Sequence, residues 1–178
     1  MRKVLVALSL AIALVAGLSA QATQATLAKS DKLPSIDGAI GAGEYQYSGT
    51  LNGMKVEATL GSDDTLYLAV EVPSAGWAGL GVGGLVMNGS RLFLASVQDG
   101  KAGFIEKAGV GHFYADAKNL VVKKWAVKTV DGATTLELSL PSSAAVWKGQ
   151  INVTAAYSKS PNLTSRHSAY ARLTFTLK

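Results

Sequence analysis

Few side chains in this chain could do chemistry. Two of its 178 residues are histidines, His112 and His167, and none is cysteine. Thiolate chemistry, disulfides and covalent attachment of a cofactor through thioethers are therefore excluded. No H-x-x-x-H, Cys pair or carboxylate cluster falls at metal-ligand spacing. Asp63-Asp64 stands between two alternating segments, where an acidic pair reads as turn chemistry. The stretch Gly79-Leu80-Gly81-Val82-Gly83-Gly84 lacks the Lys-Ser/Thr ending and following helix of a phosphate-cradling loop. No nucleophile elbow is present, so hydrolysis has no positive support and a non-enzymatic role is expected. Two residues merit weighing: a thioether, Met87, in Val86-Met87-Asn88-Gly89, and an imidazole, His167, in the polar turn Ser165-Arg166-His167-Ser168. Taken singly, a Met is core filling and a turn His is solvated. Taken together, they are donor types that hold a haem iron from two sides and favour its reduced state. Periodicity and composition alone do not select that pair.

The elements that would position these residues are strands. Met54, Val56, Ala58 and Leu60 alternate with Lys55, Glu57 and Thr59, and Leu66, Leu68, Val70 and Val72 alternate with Tyr67, Ala69 and Glu71. Each segment predicts a strand with one buried face, and Gly61-Ser62-Asp63-Asp64 joins them into a hairpin. Trp77 to Gly84 is a Gly-rich strand; glycines at this density suit a tightly packed or bulged strand, or close approach of a backbone or flat ligand. Arg91 to Gln98 is apolar on both faces, as a central strand is, and Asp99-Gly100 turns it into Phe104-Ile105. Asn119 to Val130 alternates weakly, with Trp125 and Val127 on one face. Asp131-Gly132 is a second strong turn, after which Leu136, Leu138 and Leu140 face inward and Glu137 and Ser139 outward. Segments 151–157 and 173–177 complete the set, and only Ser142 to Trp147 suits a short helical turn. Many short strands at this spacing predict one all-β sandwich or barrel, without repeats or an interdomain linker.

The N-terminus carries an address. Arg2 and Lys3 precede an apolar run from Val4 to Ala16 broken only by Ser9, followed by small residues with an A-x-A site at Ala20-Gln21-Ala22. The run falls short of the roughly 20 residues a membrane helix needs, so residues 1–22 read as a signal peptide and the protein as exported, periplasmic or extracellular. No later stretch could span a bilayer. Residues 23–33 are small and polar and predict a flexible lead-in, leaving 34–178 as the folded domain. Seventeen basic against twelve acidic residues give +5, and loss of Arg2 and Lys3 leaves +3, with no basic stripe for nucleic acid.

Several stretches resemble the DOMON family, in that family's order. Ile36-Asp37-Gly38-Ala39-Ile40 followed by Gly43-Glu44-Tyr45 is similar to its I-D-G-x-I…G-E-Y opening. Gly53 to Val56 and Ser62 to Ala69 resemble its first hairpin, and Gly76-Trp77-Ala78-Gly79-Leu80-Gly81 its G-W-x-x-[IL]-G signature. Met87 through Lys101 matches the stretch in which a Met precedes a strand and a D-G turn, and His167-Ser168 resembles the closing H-S segment. The likeness covers Ile36 to Lys178. It implies an immunoglobulin-like β-sandwich of two antiparallel sheets and, as in the haem-binding members, non-covalent haem b held between Met87 and His167. It further implies that Trp77, Gly79 and Gly81 lie against the cofactor. The chain departs from the pattern at Asn88-Gly89-Ser90-Arg91, where the family has an acidic residue, and at Tyr170-Ala171-Arg172, where it has R-G. His112 falls in what resembles a variable loop. The function implied is electron transfer or redox sensing with a partner protein of the envelope. The alternative is a carbohydrate-binding module. That reading needs exposed rings among Trp77, Trp125, Trp147, Tyr45 and Tyr47, with Trp77 and Trp125 expected in the core by their phase. A structural envelope domain without a small ligand is the third reading.

Overall fold

The structure, a computed structural model, describes residues 23–178; the expected signal peptide, 1–22, lies outside the described residues. In chain order the strands are β1 (Thr23–Leu27), β2 (Lys29–Ser30), β3 (Tyr47–Leu51), β4 (Met54–Gly61), β5 (Thr65–Val72), β6 (Ala78–Val82) and β7 (Arg91–Gln98). They continue as β8 (Lys101–Val110), β9 (Phe113–Asp116), β10 (Lys124–Val130), β11 (Ala133–Pro141), β12 (Val146–Trp147), β13 (Gln150–Tyr157) and β14 (Ala169–Leu177). A single 3-10 turn, Ser142–Ala144, falls where a short helical turn was expected. Two sheets form a sandwich. One runs β1-β14-β13-β6-β7-β8-β9 with β12 added beside β13; the other runs β10-β11-β5-β4-β2 with β3 also beside β4.

The alternation of apolar residues decides the inner faces. Met54, Val56, Leu66, Leu68, Leu136 and Leu138 of one sheet meet Leu80, Phe93, Ile151, Leu173 and Phe175 of the other, all almost fully buried. Asp99-Gly100 and Asp131-Gly132 close their hairpins with positive φ at both residues (51° and 73°, 50° and 79°), the geometry that matches the twist of paired strands. Asn52-Gly53 does the same between β3 and β4, a hairpin the alternation did not reveal because β3 is half exposed.

The structure corrects the reading at three places. The expected flexible lead-in is ordered: Thr23–Leu27 pairs in parallel with Leu173–Leu177, Lys29–Ser30 pairs with Leu60–Gly61, and Leu27 is fully buried. Small and polar residues sufficed because an edge strand needs backbone pairing more than apolar side chains. These two pairings are the parallel ones; all others are antiparallel. Second, Glu57 and Glu137, expected outward to solvent, are buried at 3% and 0% exposure, because residues 35–46 cover the outer face of the smaller sheet. Third, Trp125 shares the phase of Val127 but sits at the rim. It is 38% exposed and stacks on Phe104 at 4.8 Å between ring centroids.

Candidate functional site

The loops that carry Met87 and His167 both pack on the outer face of the larger sheet. In β6, Ala78, Leu80 and Val82 point into the sandwich, so Gly79 and Gly81 lie on the outer side. Register carries that face across the sheet. Gly79 lies between Ala156 and Leu94, and Gly81 between Thr154 and Leu92; Ile105 continues the row from Leu94 into β8. Leu92, Ile105, Thr154 and Ala156 are half-buried while Gly79, Gly81 and Leu94 are buried, so this is a small, largely apolar floor with a partly exposed border. The glycines keep it low. A Cβ on Gly79 would press on the Trp77 indole at 3.0 Å, and one on Gly81 would collide with the Thr154 hydroxyl and meet Leu92 at 3.0 Å. The dense glycine thus has a local reason: neighbouring side chains occupy the space a Cβ would take.

Trp77 shares the phase of Gly79, so it is buried (4% exposed) on the outer side and not, as its phase had suggested, in the sandwich core. Its indole N–H donates to Ser165 Oγ at 2.9 Å, and Ser158 and Ser165 hydroxyls are joined at 2.9 Å. These bonds tie down the β13–β14 connection, residues 158–168, which passes over the Trp77 end of the floor, with Leu163 above Gly103 of β8. His167 lies near the end of this connection. It is exposed, and its ring packs edge-on against Tyr170 at 5.4 Å. Arg166, His167, Ser168 and Tyr170 line an open depression of about 450 Å³, closed on one side by Asn52, whose amide donates to the Tyr170 carbonyl at 2.7 Å.

Met87 approaches from the opposite end of β6. Residues 83–90 fold back onto β8. Gly89 N–H donates to Gly109 carbonyl at 3.1 Å, Gly109 N–H to Ser90 carbonyl at 2.8 Å, and Gly111 N–H to Asn88 Oδ1 at 2.9 Å. Gly109 is in phase with Ile105 and so faces outward. The Met87 carbonyl occupies the place its Cβ would take, so only glycine admits the loop. Met87 is half-buried. His112 lies exposed in the β8–β9 turn that Asn88 grips, beside the Met87 loop and away from the His167 loop. The two loops thus border the floor at opposite ends of β6, the Met87 loop on the β8 side and the His167 loop on the β14 side.

Charges border the floor unequally. On β8, Lys107 pairs with Asp116, whose carboxyl it holds below its ordinary pKa. Arg91, in phase with Val82 on the sandwich side and so away from the floor, pairs with the buried Glu106, which also accepts from Val121 N–H at 3.0 Å. On β14, Tyr170 and Arg172 share the outward phase of Thr174, and the Arg172 guanidinium lies 5.2 Å from the Tyr170 ring. Neither Arg166 nor Arg172 has a carboxylate within ion-pair distance among the described residues. Sequence reasoning registered Tyr170 and Arg172 only as a departure from a motif. Their period-two phase beside His167 was the signal available.

Among the described residues no three His, Cys, Asp or Glu side chains gather to hold a metal ion, and no helix is long and apolar enough to cross a membrane. Met87 and His167 are carried by the two loops that border this floor. No family model and no curated protein sequence matches the chain. Its backbone is similar to the cytochrome b domain of pyranose dehydrogenase from Coprinopsis cinerea, with a TM-score of 0.55 at 16% identity, over 68% of this chain and 75% of that one. It is similar also to the cytochrome domain of Myriococcum thermophilum cellobiose dehydrogenase, with a TM-score of 0.53 at 12% identity, over 72% of this chain and 77% of that one. At these identities the likeness establishes the β-sandwich fold.

Proposed function

We propose that this chain is an exported, DOMON-like domain that binds haem b non-covalently and serves in electron transfer or redox sensing, passing electrons to a partner protein of the envelope. One observation carries the reading. The loops bearing Met87 and His167 reach the same glycine-levelled floor from opposite ends, in a fold shared with two cytochrome domains. The residues fit the group in donor type: a soft thioether and an imidazole are the axial pair of high-potential haem proteins. When bound, haem would supply one-electron chemistry. The chain's own part is to hold and shield. Met87 sulfur and a His167 nitrogen would hold the iron. Leu92, Leu94 and Ile105 would remove the ring's apolar edge from water, and Trp77, through Ser165, would fix the His167 loop.

The test is spectroscopic. The purified chain supplied with haem is expected to give the visible spectrum of a six-coordinate, low-spin b-type centre in oxidised and reduced forms. His167→Ala should abolish that spectrum, Met87→Leu should convert it and lower the reduction potential, and His112→Ala should leave it unchanged. A flat visible spectrum, or one indifferent to both ligand substitutions, would sink the proposal. Loss with His112→Ala in place of His167→Ala would move the imidazole to the turn beside Met87.

The carbohydrate reading retains only part of its aromatic set. Trp77 and Tyr45 are buried, and Tyr47 packs edge-on against Phe175 at 5.0 Å. Trp147 is 59% exposed on β12 of the larger sheet, whereas Trp125 lies on β10 of the smaller one, so the two are not neighbours on one strand or sheet.

A further inference from the structure

We propose that the outer face of the larger sheet carries a second site, beyond the glycine floor, that binds an extended, uncharged polysaccharide without any need for haem. Strand register builds it. Trp147 of β12 lies across from Gln150 of β13, Gln150 across from Thr176 of β14, and Thr176 beside Thr26 of β1. The chain neighbours Ile151, Phe175 and Leu27 are fully buried in the sandwich, so this row stands on the outer face. All four of its side chains are exposed, the Trp147 indole to 59%. Three steps between strands about 4.8 Å apart make the row about 14 Å long. Along β13, Asn152 separates it from Thr154 of the floor.

The neighbouring pair Asn152 and Thr174 shows what sets the row apart. Both are buried, Thr174 Oγ1 donates to Asn152 Oδ1 at 2.9 Å, and the Asn152 amide donates to the Gly83 carbonyl at 3.1 Å. Their hydrogen bonding is spent on fastening the end of β6 to β13. The indole, amide and two hydroxyls of the outer row are left to solvent. Lys148-Gly149, with φ of 50° and 75°, forms the two-residue turn that holds Trp147 opposite Gln150, and the Lys148 ammonium lies over the indole at 6.0 Å from the ring centroid. The chemistry matches a sugar chain. The C–H face of a pyranose stacks on an indole, and its edge hydroxyls pair with an amide and hydroxyls that both donate and accept. No member of the row is charged, so the row does not select an acidic polymer. One ring among three small polar side chains offers too little apolar area for a protein partner. Its straight course across four strands fits an extended β-1,4-linked chain.

The experiment measures retention of the purified chain on microcrystalline cellulose and on chitin, with binding of cellohexaose and chitohexaose followed by intrinsic fluorescence. The wild type is expected to be retained on at least one of the two polymers, equally at low and high salt, because no charge takes part. Trp147→Ala should weaken binding about tenfold, and Trp147→Tyr should recover part of the loss. Gln150→Ala and Thr176→Val should each weaken it about threefold. Unfolding midpoints of all four variants should match the wild type, since the side chains are exposed. Trp125→Phe, on the other sheet, should leave retention unchanged. Failure of the wild type to bind either polymer or either hexaose overturns the proposal, as does undiminished binding by Trp147→Ala. Retention that salt abolishes overturns it too, since that is charge attraction and not sugar recognition. No haem is added, so the outcome is read independently of the absorption spectrum that tests the haem reading.

Discussion

On the outer face of the smaller sheet, Glu137 is fully buried and its carboxylate is saturated. One oxygen accepts from the N–H groups of Asp37, Gly38 and Ala39 at 3.0, 2.7 and 3.2 Å, and the other accepts from the Tyr45 hydroxyl at 2.7 Å. On the outer face of the larger sheet, the equivalent mid-strand positions are Gly79, Gly81, Thr154 and Ala156, and nothing comparable is drawn down over them. The first face is closed by a strap of irregular chain fastened to a buried charge. The second is bordered by two loops and left open. A buried carboxylate is costly unless every lone pair is met, so Glu137 commits its face to one arrangement. The floor of small residues makes no such commitment. The Ile36-Asp37-Gly38 and Gly43-Glu44-Tyr45 stretches thus act as the strap, with Glu44 holding it internally through Ser35 and Gly41 N–H groups, each at 2.7 Å.

Breaking the strap should have the largest effect. Glu137→Ala removes four hydrogen bonds and leaves the Asp37 and Gly38 N–H groups without a partner, Ala39 N–H keeping Asp37 Oδ1 at 2.9 Å, and is expected to cost roughly 3–5 kcal/mol in denaturant unfolding. Crowding the open face's loop should come next. Gly109→Ala puts a methyl where the Met87 carbonyl lies and is expected to cost about 1–3 kcal/mol; it should also weaken the Met-ligated spectrum, a change that loss of stability alone would not produce. A cut in the floor itself tests whether that face serves folding or ligand. Leu92→Gln, at a half-buried site, should shift stability by under about 1 kcal/mol yet depress haem uptake, whereas Leu138→Ala beneath the closed face should cost about 2–5 kcal/mol. Equal unfolding costs for those two variants would erase the contrast between the faces.

The smallest effect is one of pH. Burial first, and then the charge of and hydrogen bond to Glu137, raise the pKa of Tyr45 far above its ordinary 10.0. The folded state keeps that hydroxyl protonated while the unfolded chain releases its proton near pH 10. The stabilisation is therefore complete below pH 10 and is lost as pH rises beyond it, by about 1 kcal/mol over the first unit. Tyr45→Phe should flatten that slope by close to one proton when unfolding midpoints are followed from pH 9 to 11. An unchanged slope would mean that the strap opens before the protein unfolds. Tyr47 and Tyr67, whose pKa values burial also raises, contribute the residual slope.

Much of the architecture was legible because its causes are local. Leu66, Leu68, Val70 and Val72 define a face by alternation alone, and Asp99-Gly100 and Asp131-Gly132 define turns because few other residues accept positive φ twice in succession. Trp125 shows where this logic fails: phase gives the face, but distance from the edge of the sheet gives the exposure. Glu137 fails in the other direction, since an acidic residue opposite a leucine row reads as solvent-facing until a segment some hundred residues away covers it. Thr23–Leu27 looked unstructured because its partner, Leu173–Leu177, lies at the far end of the chain.

The amino-acid sequence by itself determined the period of two, the turns, the absence of thiols and the short supply of metal-ligating groups, because each follows from residue type and near neighbours. Only the tertiary structure decided that the loops carrying Met87 and His167 border one sheet face, that the other face is strapped shut, and that Tyr170 stands beside His167. Those relations depend on which strands pair across long separations. Pairing of β6 with both β7 and β13 is what lays the two loops over one floor, and no local pattern encodes it.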